Sequence, residues 1–343
     1  MKINPQRIRI TAISKALSKI TQMKGVSGNE AIINRMSIIT DDGNKELPCL
    51  SSNALRHKIR EKGMYHLIKL CSWENGALNY DQLFFMNNGG ILSESSINTN
   101  LKTISDMKNL LPLYRVLGGS LRNQIIEGEI KVGYGYLICN ESLSLLKSLL
   151  PLPLREQLPK QLKSMDDFVS SYQYTRGDVR NHKDIDWFSA LEDLSNVSEK
   201  SNLMLTVGEN VKPNSLFYHF YNFDFATELE LGAFFSAFRE WQLDGGIIGG
   251  KSSIGHGNLE TKLFISDSTI DIQSCIDTYE KHVLENKENA LKWLNENFNM
   301  EKEIKAKLEK KEKEETKKKE KEEKVKAKEK PKTDLFQEAL LDG

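Results

Sequence analysis

The residues best equipped to hold a phosphate lie in one glycine-rich run, Gly245-Gly246-Ile247-Ile248-Gly249-Gly250-Lys251-Ser252-Ser253-Ile254-Gly255-His256-Gly257. Backbone amides made accessible by glycine, an ammonium and hydroxyls are what an anion needs. Read as Gly245 to Ser252, the run satisfies G-x-x-x-x-G-K-[ST], the loop that holds the phosphates of ATP or GTP. Read as Gly249 to Gly257, it offers four glycines with Lys251, Ser252, Ser253 and His256, more than a connecting turn requires.

The flanks separate the two readings. A nucleotide loop needs a buried strand before it and a helix opening on its Lys-Ser end, because that helix supplies the oriented amides. Here Glu228 to Trp241 sets Leu229, Leu231, Phe234, Phe235, Phe238 and Trp241 at helical spacing, with no β-branched run before Gly245. After the run, Leu259, Thr261, Leu263 and Ile265 alternate with Glu260, Lys262, Phe264 and Ser266, the pattern of a strand. Helix, loop, strand is the wrong order for a nucleotidase.

Two further clusters could bind anions. Ser51, Ser52 and Asn53 are good helix caps ahead of Ala54 to Arg60, and Arg56 and Arg60 share a face at i, i+4. The plain alternative there is a capped surface helix with solvated arginines. Tyr172, Tyr174, Arg176, Asp178 and Arg180 fall in Met165 to Asp186, which reads as a protruding hairpin or long loop. The acid pairs Asp41-Asp42 and Asp166-Asp167 read as turn and surface residues. Cys49, Cys71, Cys139 and Cys275 are far apart without a C-x-x-C pair, so buried reduced thiols are expected and no zinc site or disulfide. No metal and no cofactor is expected.

The elements that must position these groups follow from periodicity. Arg7 to Ala16 alternates as a first strand; Thr21 to Asn29 reads as a glycine and polar loop; an apolar run from Ile32 to Ile39 precedes the turn Asp41-Asp42-Gly43-Asn44. Lys69 to Pro112 reads as a helical insertion broken at Asn87-Asn88-Gly89-Gly90. Ile126 to Cys139 sets Ile130, Val132, Tyr134, Tyr136 and Ile138 on one face, predicting a central strand. Pro151, Pro153 and Pro159 predict a stretch without regular structure, and a further strand is expected at Met204 to Val207 or Phe217 to Phe223. Glu301 to Lys332 is almost entirely Glu, Lys and Ala without apolar a/d positions, a solvated helix or a disordered tail.

Composition narrows the function classes. With 343 residues and 39% apolar content, the chain can build a core. Its formal net charge of zero argues against a uniformly basic nucleic-acid binder, but leaves local patches at Arg56, Lys58, Arg60 and Lys62 and at Arg176, Arg180, His182 and Lys183. No stretch reads as a signal peptide or a membrane span, so a soluble cytoplasmic protein with no membrane partner is expected.

Four segments, in this order, resemble the backbone subunit of CRISPR effector complexes, in the repeat-associated mysterious protein (RAMP) superfamily. They are Leu47 to Arg60, with its proline, small polar residues and arginine-bearing helix; Leu117-Gly118-Gly119-Ser120 leading into Gly128 to Val132; Thr175 to Arg180, similar to the tip of a thumb hairpin; and Leu229 to Gly232 with Gly249 to Gly257. The resemblance spans about Arg7 to Asp271 and fits the type IV subunit best, with the type III subunit as near neighbour. It implies an α+β fold: an RNA-recognition-motif-like (ferredoxin-like) palm with inserted helical fingers at about 69–112 and a thumb at about 165–186, all within residues 1–282. A Glu/Lys-rich, helical or disordered tail occupies 283–343. It also implies four kinds of partner: a CRISPR guide RNA, the target nucleic acid, copies of the chain itself in a helical filament, and other CRISPR effector subunits. Carried over residue by residue, the RNA-binding set is Ser51, Ser52, Asn53, Arg56, Arg60, Tyr174, Arg176, Arg180, Gly249, Gly250, Lys251, Ser252, Ser253, Gly255, His256 and Gly257. His256 is expected to contact phosphate or base, since no acidic partner adjoins it.

Type III backbone subunits cleave target RNA with an aspartate in the loop after the first strand. In this chain Thr21 to Glu30 contains no Asp, and Asn29 cannot ionise. The departure favours a non-catalytic scaffold with no catalytic residue, the alternative being a metal-dependent ribonuclease on the same fold. Asp178, between Arg176 and Arg180, reads as organising the hairpin.

Overall fold

The structure, a computed structural model, describes residues 6–27, 30–90, 100–122, 124–156, 158, 161–176 and 204–298. In chain order, β1 (Gln6–Ala16), β2 (Met23–Ser27), β3 (Glu30–Ile33), β4 (Arg35–Thr40) and β5 (Gly43–Leu50) lead into the long helix α1 (Ser52–Cys71). Next come α2 (Tyr80–Asn88), α3 (Leu101–Leu110), α4 (Pro112–Leu117), and the short strands β6 (Gly119–Leu121), β7 (Gln124–Ile126), β8 (Ile130–Val132) and β9 (Gly135–Leu137). Then follow α5 (Leu143–Leu149), α6 (Leu152–Arg155), β10 (Val169–Arg176), β11 (Met204–Val211), β12 (Leu216–Ala226), α7 (Glu228–Leu243), β13 (Leu259–Ile265) and α8 (Ile272–Asn297).

The expected α+β class holds, with sheets that are antiparallel apart from the β3–β11 pairing. The main sheet runs β13-β1-β12-β9-β5-β4, with β8 also on β12. One face of β1 carries Ile8, Ile10 and Ala12, and one face of β12 carries Phe217, Tyr221 and Phe223, all buried. Tyr221 and Phe223 meet Phe234 of α7 at ring separations of 4.8 and 5.5 Å, so the strands' period of two and the helix's period of 3.6 close one aromatic core. A second sheet, β10-β11-β3-β2, leaves the main one where Ile20 bridges to Val211.

Four expectations need correction. Thr21 to Asn29 is not simply a loop: β2 pairs with β3 across Gly25 and Ile32, because sheet pairing overrides a composition that favours turns. Ile126 to Cys139 is three short strands rather than one: Ile130 and Ile138 are buried as expected, but Gly133, Gly135, Leu137 and Cys139 are buried as well, while Tyr134 is 44% exposed. Close packing requires glycine at both positions, since a Cβ on Gly133 would lie 2.5 Å from the Phe220 ring and one on Gly135 2.8 Å from Leu50. Pro151 and Pro153 open a single helical turn, α6, which suits proline's fixed φ; Pro159 lies outside the described residues. Finally, α8 runs through residue 282, the expected end of the folded domain, and buries Val283, Ala290, Trp293 and Leu294. Packing on α7 and α3 thus carries the fold on to Asn297; the remainder of the tail lies outside the described residues.

Candidate nucleic-acid interface

The start of α1 is built as its sequence suggests. Ser51 is the N-cap, with its hydroxyl accepting from the Ala54 amide at 3.2 Å. Asn53 is exposed and Ser52 half-buried. Arg56 and Arg60 do share a face, and both reach the end of α4: each donates to the Leu117 carbonyl, and Arg60 donates to Gly118 O at 2.7 Å as well. Arg60 is 9% exposed, and burial lowers its pKa and that of Arg56. A buried guanidinium must be paired, and these carbonyls pair it. Arg60 is therefore a brace for the turn into β6, which corrects its expected place as an exposed phosphate ligand. Arg56, half-buried, lines a cleft of about 440 Å³ with Asn53, Gly119, Glu127 and Gly128, and Arg60 lies in its wall.

The glycine run divides into two parts. Gly245 and Gly246, with φ of 82° and 60°, end α7: their amides donate to Gln242 O and Trp241 O at 3.0 and 2.9 Å. The first glycine of the nucleotide-loop string is thus a helix terminator, and only a single 3-10 turn, Ser252–Ile254, follows Lys251. From Gly249 on, the loop packs against the segment leaving β1. The Gly250 amide donates to Thr21 O at 2.8 Å, the Gly257 amide donates to Lys19 O at 2.9 Å, and a Cβ on Gly249 would lie 2.7 Å from Thr21 O. Gly257, at φ 101°, is held against Ile248. Close backbone packing within the chain therefore requires Gly249 and Gly257. Gly255, at φ 84°, has open space around it, beside the exposed Ser252 and Ser253.

Two side chains tie this loop to β10. The Lys251 ammonium sits 4.8 Å from the Tyr172 ring centroid and 4.9 Å from that of Tyr174. His256 is buried, with Nδ1 2.7 Å from the Thr21 hydroxyl and Nε2 2.8 Å from the Tyr174 hydroxyl. Burial, with Lys19 and Lys251 nearby, holds its pKa below the ordinary histidine value. With both ring nitrogens taken up inside the protein, His256 does not face a ligand, which corrects its expected contact with phosphate or base. Arg176 closes β10 opposite Met204, and Arg180 lies outside the described residues.

Sequence reasoning missed Thr21 and Gln22. They sit in the aspartate-free segment from Thr21 to Glu30, and nothing in their types marks them. Yet Thr21 holds the glycine loop through its carbonyl and hydroxyl, while Gln22 is bonded to Ser51 through both ends of its amide. The two phosphate-suited clusters thereby adjoin through one dipeptide. Among the described residues, no group of three or more His, Cys, Asp or Glu side chains is placed to hold a metal ion, and no helix is long and apolar enough to cross a membrane. The four cysteines are free and buried, and burial is the main cause that pushes their thiols up to about 11.

No family model matches this chain, and neither does any curated protein. Among solved structures, it is similar to a chain of a Type IV-B CRISPR complex: 17% identical, covering 77% of this chain and 92% of that one, at a TM-score of 0.51. A chain of Type III-B Cmr-beta bound to cognate target RNA aligns more loosely, at 11% identity, 74% and 96% coverage and a TM-score of 0.40. The first of these is a likeness of fold.

Proposed function

We propose that this protein is a non-catalytic RNA-binding backbone subunit that holds a CRISPR guide RNA for target pairing in a type IV effector complex in the cytoplasm. Its partners are further copies of itself along the guide, other effector subunits and the target nucleic acid. In this reading β13-β1-β12-β9, with α1 and α7, is the ferredoxin-like palm; α2 to α4 belong to the fingers; β10 and β11 form the base of the thumb. The observation that carries it is the junction of the α1 start with the glycine loop through Thr21 and Gln22, on a fold like that of a chain in a Type IV-B CRISPR complex.

The chemistry suits a backbone held without reading its sequence. The first amides of α1, exposed serine hydroxyls, Arg56 and Lys251 are phosphate ligands, and Gly255 leaves the main chain open to approach. Arg60 and His256 shape the surface from beneath. The absence of an aspartate from Thr21 to Glu30 supports a scaffold rather than a nuclease.

Binding to RNAs of graded length and scrambled sequence, at several salt concentrations, tests the proposal. Affinity should follow length, and each phosphate contact should contribute about −0.7 to the slope of log K against log salt. Sequence-dependent affinity, or none for RNA, overturns it. Magnesium-dependent cutting of paired target RNA at regular intervals would establish the ribonuclease alternative instead.

A further inference from the structure

β10 is the outer strand of its sheet; among the described residues its ladder partner is β11. Through its backbone β11 is fastened to the rest of the protein twice, by β3 at Val207 and Gly208 and by the Ile20–Val211 bridge. Among the described residues β10 has no such second ladder, and its far edge needs another restraint. Two side-chain ties supply one. Tyr174 of β10 meets His256, which meets Thr21, and Lys251 covers the rings of Tyr172 and Tyr174.

The hydrogen bonding of this chain is complementary. A neutral imidazole has one N–H donor and one acceptor nitrogen, and each flanking hydroxyl can give or take a proton, so Thr21 and Tyr174 satisfy either tautomer. Buried as it is, His256 cannot trade these partners for water, and the loss of one leaves an orphaned nitrogen. The Thr21 carbonyl also accepts from Gly250, one residue before Lys251.

We propose that His256 is a positioning residue: through Thr21 and Tyr174 it fixes β10 to the glycine loop, so that the stance of the hairpin and the presentation of Lys251 are set together. The RNA half of this statement rests on the function proposed above; the mechanical half does not.

The test uses the full chain with Thr21→Val, Thr21→Ser, Tyr174→Phe and the Thr21→Val/Tyr174→Phe pair. Hydrogen exchange of residues 169–176 is followed in the free protein, and affinity is measured for a short polyuridine and for one long enough for several copies. Thr21→Val and Tyr174→Phe should each speed exchange in β10 about tenfold, the pair little more than either alone, and Thr21→Ser should match wild type. In Thr21→Val, affinity for the short RNA should stay within about threefold, while binding to the long RNA weakens. Unchanged β10 exchange in Tyr174→Phe overturns the proposal. So does a loss of short-RNA affinity in Tyr174→Phe as large as in Lys251→Glu, which would make the hydroxyl a direct contact. Should the wild type bind no RNA, the functional reading falls, and the exchange experiment still decides the pin.

Discussion

Gln22, between β1 and β2, and Ser51, between β5 and α1, are joined by two hydrogen bonds: Gln22 Nε2 donates to the Ser51 hydroxyl at 2.6 Å, and the Ser51 amide donates to Gln22 Oε1 at 3.0 Å. The pair fastens the segment after β1 to the N-cap of α1. Because the preceding residue, Thr21, carries the glycine loop, one dipeptide sets the spacing between the two groups of phosphate ligands.

Gln22→Ala should therefore cost stability as well as binding. The Ser51 amide loses its acceptor in a half-buried place, a penalty of about 1–2 kcal/mol measurable as a lower urea midpoint at constant m.

Arg56 and Arg60 should behave differently although they share a helix face. Arg60→Ala strips a buried charged donor from the carbonyls of Leu117 and Gly118 and should destabilise by about 2–3 kcal/mol in urea unfolding. Arg56→Glu should retain most of the fold and lose RNA affinity, as should Lys251→Glu, both by filter binding. Comparable affinity losses without any stability loss in Arg60→Ala would contradict the brace.

The glycines of the loop separate in the same way. Gly257→Ala places a methyl against Ile248 at φ 101° and should cost more than about 2 kcal/mol. Gly255→Asn, at φ 84° with open space around it, should leave thermal stability within about 0.5 kcal/mol, since asparagine tolerates the left-handed region. Any effect of Gly255→Asn should appear in RNA binding.

Acid should weaken the fold through two buried histidines. Full burial holds His219 to about 3, so it stays neutral in the folded state where the unfolded chain takes up protons, and the lowered pKa of His256 acts in the same direction. Stability should be complete above pH 6.5 and fall below it, for His219 by up to about 1.4 kcal/mol per unit until about pH 3. Denaturation midpoints of wild type and His219→Gln from pH 7.5 to 4.5 measure this; the variant should show the shallower decline.

Truncation locates the end of the fold. A chain ending at Phe298 should unfold cooperatively and bind RNA, whereas one ending at His282 forfeits Val283, Ala290, Trp293 and Leu294, at about 1.5–3 kcal/mol for each large apolar side chain. Circular dichroism melts of the two chains distinguish them.

Much was legible because it is local. Period-two and period-3.6 patterns fixed β1, α7 and β13, the Ser51 cap opened α1 as expected, and the order of helix, glycines and strand argued against a nucleotide loop. What the tertiary structure decided is which groups face outward. Arg56 and Arg60 have the same type and lie on one face, yet α4 comes close enough to bury Arg60. His256 carries the chemistry of a ligand, but Thr21 and Tyr174, distant in sequence, occupy both its nitrogens. Likewise, of the even-numbered apolar residues of 130–138, Ile130 and Ile138 are buried but Tyr134 is exposed, and Gly133 and Gly135 are buried where Phe220 and Leu50 leave no room for a Cβ. Side-chain type and spacing state what a residue can do; whether it meets solvent, a carbonyl or a ligand depends on neighbours brought from elsewhere in the chain by burial of the shared core.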